Sequence, residues 1–284
     1  MKPKNRFSPW RSSNSSSSYL NQPSPIPNVV ELNTGPTCNR KCSFCPRAEG
    51  WSEPGDYFEI ALANKIAQEL YKINFCGLVQ FTGYGEPLQH PNIFDLIEVF
   101  SRKKIQVELT TNGDFLKRDI ARQLSKSGLA FLRVSLYDNP RQVKKFKQIL
   151  DGISFDQVKL IERWDADLFD TKTNRAGYLH DSNEVDIDHT VRPCNYPFYH
   201  MLINHTGEVY LCPQDWSLKY SLGNVKESSI MDIWLSEEYQ NYRAILATNR
   251  GIEPCLSCDA DGLVYGNQSR LSWISENSHT LSAE

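Results

Sequence analysis

Residues 29–45 read Val29-Val30-Glu31-Leu32-Asn33-Thr34-Gly35-Pro36-Thr37-Cys38-Asn39-Arg40-Lys41-Cys42-Ser43-Phe44-Cys45. The first six residues form a strand-like run, and Gly35-Pro36 closes it. Three cysteines at C-x3-C-x2-C spacing therefore stand on a loop just after a first strand. A [4Fe–4S] cubane has four irons, each of which takes a thiolate in a closed site. Three thiolates leave one iron open, and an open coordination position separates a reactive metal site from a structural one. A zinc knuckle would need a fourth Cys or His close by, and none lies between Cys45 and Cys76.

Outward from this loop, strand and helix patterns alternate. Leu62, Ile66, Leu70 and Ile73 mark one helical stripe. Leu78–Phe81 is a short strand, and Ile93, Leu96, Ile97 and Phe100 mark a second helix that starts beside Pro91. Ile105–Leu109 alternates as a strand. Leu116, Ile120 and Leu124 form a third stripe, stopped by Gly128. Phe131–Leu136 is a strand, Val143, Phe146 and Leu150 a fourth helix, and Val158–Ile161 a fifth strand. Strands separated by helices imply a parallel sheet with right-handed crossovers, with functional residues at the C-terminal ends of the strands.

The second strand runs into Thr82-Gly83-Tyr84-Gly85-Glu86-Pro87. Glycines here permit close backbone approach to a ligand. Alone this is a turn; one βα unit after a cysteine triplet, it is a motif. With Phe44 just before the last cysteine, the triplet and this segment resemble the radical S-adenosylmethionine (SAM) enzymes. The resemblance implies a shortened partial (β/α) barrel. It also implies that the open iron chelates the methionine amine and carboxylate of SAM, and that an electron splits the sulfonium into a 5′-deoxyadenosyl radical. Gly83, Gly85 and Glu86 would hold the SAM amino group, with Tyr84 in place of the commoner glycine. Asn112 and Ser135, at the ends of the third and fourth strands, would face the ribose and methionine, and Phe44 the adenine. Read without the resemblance, Asn112-Gly113 is a turn and Phe44 a core aromatic.

Four further cysteines follow the barrel. Cys194 and Cys212 frame C-x12-G-x4-C around Gly207, and Cys255 and Cys258 form C-x2-C. Four thiolates close a tetrahedral cage, suiting either a structural zinc or an electron-transfer cluster. In this context they resemble the SPASM/twitch extensions of radical SAM enzymes. A full SPASM domain carries two auxiliary clusters on about seven cysteines, so four imply the shorter form with one. The expected cofactors are two [4Fe–4S] clusters and SAM. The expected partners are a small-molecule substrate and an external one-electron reductant of the flavodoxin or ferredoxin type.

The expected organisation is a disordered Ser/Pro-rich segment over 1–28, the barrel over 29–190, the auxiliary-cluster domain over 191–265 and a polar tail over 266–284. Within the second domain, 198–212 read as a hairpin turning at Asn204-His205-Thr206-Gly207, with helices near 230–235 and 238–248. Net charge is −3 and no Lys/Arg block stands out, so the footprint of a nucleic-acid binder is missing. No apolar run approaches a membrane span and no secretory signal opens the chain. Eight cysteines in such a chain read as metal ligands in a reducing, cytoplasmic setting.

By resemblance to the alcohol-oxidising members, the expected reaction is dehydrogenation of a sugar- or cyclitol-like alcohol, with the second cluster accepting an electron. Arg175 is the favoured residue to orient the hydroxyl; Arg163, Glu162, His180, His189 and His200 are other candidates. An arginine is a poor base but stabilises a developing alkoxide. The alternatives are an epimerase, which needs a hydrogen-atom donor, a peptide-modifying enzyme, and outside enzymology a zinc-stapled binding module. Cys76 is the spare cysteine, and it lies before the second strand, at the wrong end of a barrel for a donor.

Overall fold

A computed structural model describes residues 24–164, 173–179 and 192–277. The expected alternation is present. Strands β1 (Val29–Asn33), β2 (Leu78–Thr82), β3 (Gln106–Thr111), β4 (Phe131–Leu136) and β5 (Gln157–Glu162) are joined by helices α1 (Ile60–Lys72), α2 (Ile93–Ser101), α3 (Arg118–Lys126) and α4 (Arg141–Leu150). All five strands pair in parallel, in the order β5-β4-β3-β2-β1. Parallel neighbours need a crossover, and each helix supplies one.

The two faces of the sheet differ because side chains alternate along a strand. Val30, Leu32, Val79, Phe81, Val107, Leu109, Leu132 and Val134 are buried in the main apolar core, against Leu62, Ile66 and Leu70 of α1 and Ile93, Leu96 and Ile97 of α2. The other face is polar. The register sets Glu31 opposite Gln80, and Gln80 opposite Glu108. Gln80 donates to Glu108 at 2.8 Å, and Arg133 pairs with Glu108 at 2.5 Å. Burial favours the neutral acid at Glu108, while Arg133 and Gln80 hold the charge in place. The interior of the partial barrel is thus a hydrogen-bonded polar surface, with its apolar backing outside.

Two features were not foreseen. Residues 196–199 form a short helical turn, α5 (Tyr196–Tyr199), where the sequence reads as the start of a strand. Pro197 in the first turn explains it, since its fixed φ suits a helix start. The hairpin that follows, β6 (His200–Ile203) and β7 (Val209–Tyr210), does not stand apart. β6 pairs in parallel with β1, so the sheet has seven strands in the order β5-β4-β3-β2-β1-β6-β7. The turn lies where expected. The Asn204 side chain accepts from Thr206 N, Thr206 Oγ1 and Glu208 N, and Gly207 takes φ +95°.

Helices α6 (Ile230–Trp234) and α7 (Glu237–Leu246) match the expected pair. The region read as a polar tail contains a third helix, α8 (Asn267–Glu276). Trp273 meets Phe198 edge to face at 5.5 Å, and Arg270 donates to Asn195 Oδ1 and to the Ala247 carbonyl. Upstream, the Pro25 carbonyl accepts from Trp234 Nε1 at 3.0 Å, so the segment just before β1 also packs on the second domain. The expected disorder over most of 1–28, the candidates His180 and His189, and most of the segment linking the two domains lie outside the described residues. No helix among the described residues is long and apolar enough to cross a membrane.

Candidate active site

The cysteine loop is anchored to two strand ends by one residue, Arg40. Its guanidinium donates to Asp114 at 2.7 and 2.6 Å, beyond β3, and to Asp138 at 2.8 Å, beyond β4. It also stacks over Tyr137 at 5.2 Å. These pairs hold the Asp138 carboxyl below the ordinary aspartate range. Arg47 fixes the other end of the loop, donating to the Tyr84 carbonyl at 2.6 Å and to the Pro36 carbonyl. Cys38, Cys42 and Cys45 are left partly exposed. Burial and the two neighbouring cysteines raise the Cys42 thiol to about 11. A cation is therefore what would favour thiolates here.

The glycine-rich segment packs directly under that loop. A Cβ on Gly85 would lie 2.2 Å from the Gly35 carbonyl oxygen and 2.8 Å from that of Thr37, and Glu86 N donates to Thr37 O at 2.8 Å. Gly83 takes φ +103°. The Glu86 carboxylate is buried and accepts from Thr111 Oγ1 (2.6 Å), Asn112 N (2.8 Å) and Leu88 N (3.0 Å). Three of about four acceptor positions on a carboxylate are then taken by the chain itself. Glu86 braces the end of β3. Tyr84 turns away from the loop, and its hydroxyl donates to the Asp215 carbonyl at 2.7 Å.

Asn112 is also a brace. Its Nδ2 donates to Asn39 Oδ1 at 2.9 Å and lies 3.9 Å from Cys38 Sγ, and its Oδ1 accepts from Asp114 N. Ser135 Oγ accepts from Arg163 Nε at 3.3 Å. Phe44 stacks on Tyr137 with ring centroids 5.9 Å apart. Asn112 lies beside the triplet, and Phe44 and Ser135 stand with Tyr137 and Arg163 at the ends of β4 and β5. Each already has a partner in the chain. Glu162 is exposed at the end of β5. His200 pairs with Glu31 at 3.1 Å at the start of β6, the end of the sheet away from the triplet. Cys76 is exposed and bonds the Asn74 carbonyl, before β2.

Arg175 occupies the junction of the two domains. Its backbone is left-handed, with φ +54°. Burial lowers its pKa, and the charges of Cys45 and Tyr137 of the barrel and of Tyr196 and Asp259 of the second domain act in the opposite sense. Nη1 reaches Gln214 Oε1 at 3.4 Å, and the buried Nε has no hydrogen-bond partner among the described residues. Asn174 beside it donates from its backbone to Asp259 Oδ1 at 2.8 Å, and Thr173 to Gln214 Oε1 at 2.7 Å. An aromatic cluster, Trp51, Tyr84 and Trp216, closes the same junction with centroids 4.7–5.3 Å apart.

Cys194, Cys212, Cys255 and Cys258 are far more enclosed than the triplet, at 6–8% exposure. That contrast matches a closed cage beside an open site. Burial raises the Cys212 thiol well above its ordinary value, and Cys255, Cys258 and Cys194 add to the rise, which marks the four as one group. Cys255 opens a short 3-10 turn that brings Cys258 N to the Cys255 carbonyl at 3.1 Å. Among the described residues no three His, Cys, Asp or Glu side chains converge as they would around a single metal ion. Both sets suit a polynuclear guest, whose separate irons take separate thiolates.

Sequence reasoning missed Arg40, Asp114, Asp138, Tyr137 and Arg47. The signal available was position, since Asp114, Tyr137 and Asp138 directly follow strand ends.

Comparison with known proteins agrees with this arrangement. The radical SAM superfamily matches residues 32–193, more than half of the chain, and the SPASM iron-sulfur cluster-binding domain matches residues 194–259. The chain is 27% identical over 237 residues to the S-adenosyl-L-methionine-dependent 2-deoxy-scyllo-inosamine dehydrogenase of Niallia circulans, covering 81% of this chain and 92% of that protein. It is 22% identical to the tungsten-containing aldehyde ferredoxin oxidoreductase cofactor-modifying protein of Pyrococcus furiosus, covering 78% and 84%. The fold is similar to that of BtrN in complex with AdoMet and 2-DOIA, with TM-score 0.73 and 23% identity over 87% of this chain and 98% of the other. The chain belongs to the radical SAM superfamily, and its barrel carries a C-terminal SPASM-type iron–sulfur cluster-binding domain.

Proposed function

We propose that this enzyme oxidises a secondary alcohol of a sugar- or cyclitol-like small molecule to a ketone. The observation that carries the reading is the pairing of a partly exposed three-cysteine site with a buried four-cysteine site, with the half-buried Arg175 at the junction between their domains. When bound, SAM and the first [4Fe–4S] cluster supply a 5′-deoxyadenosyl radical that takes a hydrogen atom, and a second [4Fe–4S] cluster supplies an acceptor for one electron. The carbinol carbon would give that hydrogen atom to the adenosyl radical, the hydroxyl its proton to solvent, and the remaining electron would pass to the second cluster, leaving the carbonyl.

In this reading Cys38, Cys42 and Cys45 hold the first cluster, and Cys194, Cys212, Cys255 and Cys258 the second. Gly83 and Gly85 let backbone approach SAM, Glu86 and Asn112 stiffen that wall, and Ser135 and Phe44 line it. Arg175 orients the hydroxyl and stabilises the developing alkoxide, using the buried Nε that has no partner among the described residues. An acidic flavodoxin- or ferredoxin-like reductant in the cytoplasm would supply the priming electron. Similarity to the Niallia circulans dehydrogenase along most of both chains supports an alcohol substrate. An epimerase would need a hydrogen donor, and the spare thiol, Cys76, is exposed at the far end of the barrel.

The test is anaerobic reconstitution followed by incubation with SAM, a reductant and a panel of amino- and polyhydroxylated cyclitols. Two clusters' worth of iron and sulfide, and a product lighter by two hydrogens per 5′-deoxyadenosine, are expected. A product of unchanged formula would make the enzyme an epimerase.

A further inference from the structure

Arg250 is 1% exposed and sits among the segments that carry the auxiliary cysteines. Nη1 donates to the Ala260 carbonyl at 2.6 Å and approaches the Cys258 carbonyl at 3.5 Å and Cys258 Sγ at 4.0 Å. Nη2 donates to the carbonyls of Asp261 at 2.6 Å and Pro193 at 3.3 Å. Among the described residues its Nε has no hydrogen-bond partner. Among the described residues the ion pairs are formed by other side chains, so no carboxylate neutralises Arg250 directly. A Cβ on Gly262 would meet Arg250 Nη2 at 2.3 Å and Cys194 Sγ at 2.8 Å. That glycine therefore leaves room for the guanidinium and the thiol side by side.

A buried cation without a paired anion is costly, and carbonyl dipoles compensate only part of the cost. The missing counter-charge is what an anionic, four-thiolate cluster would provide. Arg250 acts on Cys194, Cys255 and Cys258, opposing the rise that burial imposes on each. Three carboxylates act on the same group in the opposite sense, namely Asp261 on Cys194, Asp215 on Cys212 and Cys255, and Asp259 on Cys258. Arg192, whose Nη2 donates to the Ala260 carbonyl at 2.8 Å, is a second and less buried cation.

We infer that Arg250 raises the reduction potential of the auxiliary cluster and so makes it a competent electron acceptor. This rests on the reading that the four cysteines hold a [4Fe–4S] cluster with that role. One-electron reduction adds one negative charge to the cluster and breaks no bond. A fixed positive charge beside it stabilises the reduced form more than the oxidised form, and net charge and hydrogen bonds to sulfur are known determinants of cluster potential.

The experiment is a potentiometric titration followed by electron paramagnetic resonance. It uses the reconstituted full-length chain with C38A/C42A/C45A, so that only the auxiliary cluster titrates. R250M is expected to disfavour reduction at least tenfold, about 59 mV downward for a one-electron couple. R250K, which keeps the charge, is expected to stay within about threefold of the parent, well under that 59 mV step. An unshifted R250M, or R250K shifted as far as R250M, overturns the inference. If R250M loads no cluster, R250K alone decides, and a tenfold loss there also overturns it. If neither variant loads a cluster although both fold, Arg250 is a brace and the inference is wrong. A parent chain without iron would instead refute the second cluster itself.

Discussion

Arg175 is the residue on which the proposed chemistry turns. Its half-buried guanidinium lies within electrostatic reach of Cys45 and Tyr137 of the barrel and of Tyr196 and Asp259 of the second domain, and among the described residues its Nε has no hydrogen-bond partner. Removing a group that stabilises developing negative charge costs on the order of 10²–10³ in turnover. R175M should therefore lose about two orders of magnitude in ketone formation while still cleaving SAM, so that 5′-deoxyadenosine exceeds product. R175K should recover part of the coupling. Equal loss of both products would show that Arg175 holds the site together and does not orient the alcohol. The pH dependence of the cysteine loop belongs to Asp138. Its hydrogen bonds and pairing with Arg40 depress the folded-state pKa, so its contribution is fully present above the unfolded value, near pH 4, and disappears as pH falls through the depressed one. D138N should lower unfolding free energy at pH 7 by no more than the ~1 kcal/mol of an exposed pair, with a small drop in melting temperature, and match the parent in acid. A gap that persists in acid would contradict this.

At the scale of elements, the cysteine loop and the glycine-rich segment are one packing unit. Gly85 has no room for a side chain, since its Cβ would fall 2.2 Å from the Gly35 carbonyl oxygen. Overpacking of this kind costs about 1–3 kcal/mol, and the strain here would open the loop that presents the triplet. G85A is expected to lower stability by that amount in denaturant titration and to lose iron from the first site while keeping the second. Full retention of both clusters would contradict the proposed contact. The elements were unequally legible in the sequence. Cysteine spacings were readable because coordination chemistry fixes them locally, and the βα alternation was readable because the helix and strand periods differ. The Arg40 anchor was hidden because Asp114 and Asp138 are distant in sequence. Helix α8 was hidden because it buries little of its own surface, with Ser269 its one buried residue.

For the whole molecule, the sheet joins the two domains. β6 continues the barrel beside β1, Tyr84 bonds the Asp215 carbonyl, and Lys65 of α1 donates to the carbonyls of Val225 and Ser228. The loop after β1 that carries the triplet and the hairpin that leads into Cys212 therefore belong to one continuous sheet. The sequence pattern could not reveal that the 198–212 hairpin extends the barrel sheet, because an isolated hairpin and a sheet extension read alike. The measurement that tests the account most directly uses a cyclitol substrate deuterated at the carbinol carbon. The account predicts one deuterium in 5′-deoxyadenosine and an equal amount of ketone. Deuterium-free 5′-deoxyadenosine, or recovered alcohol carrying solvent hydrogen at that carbon, would contradict it.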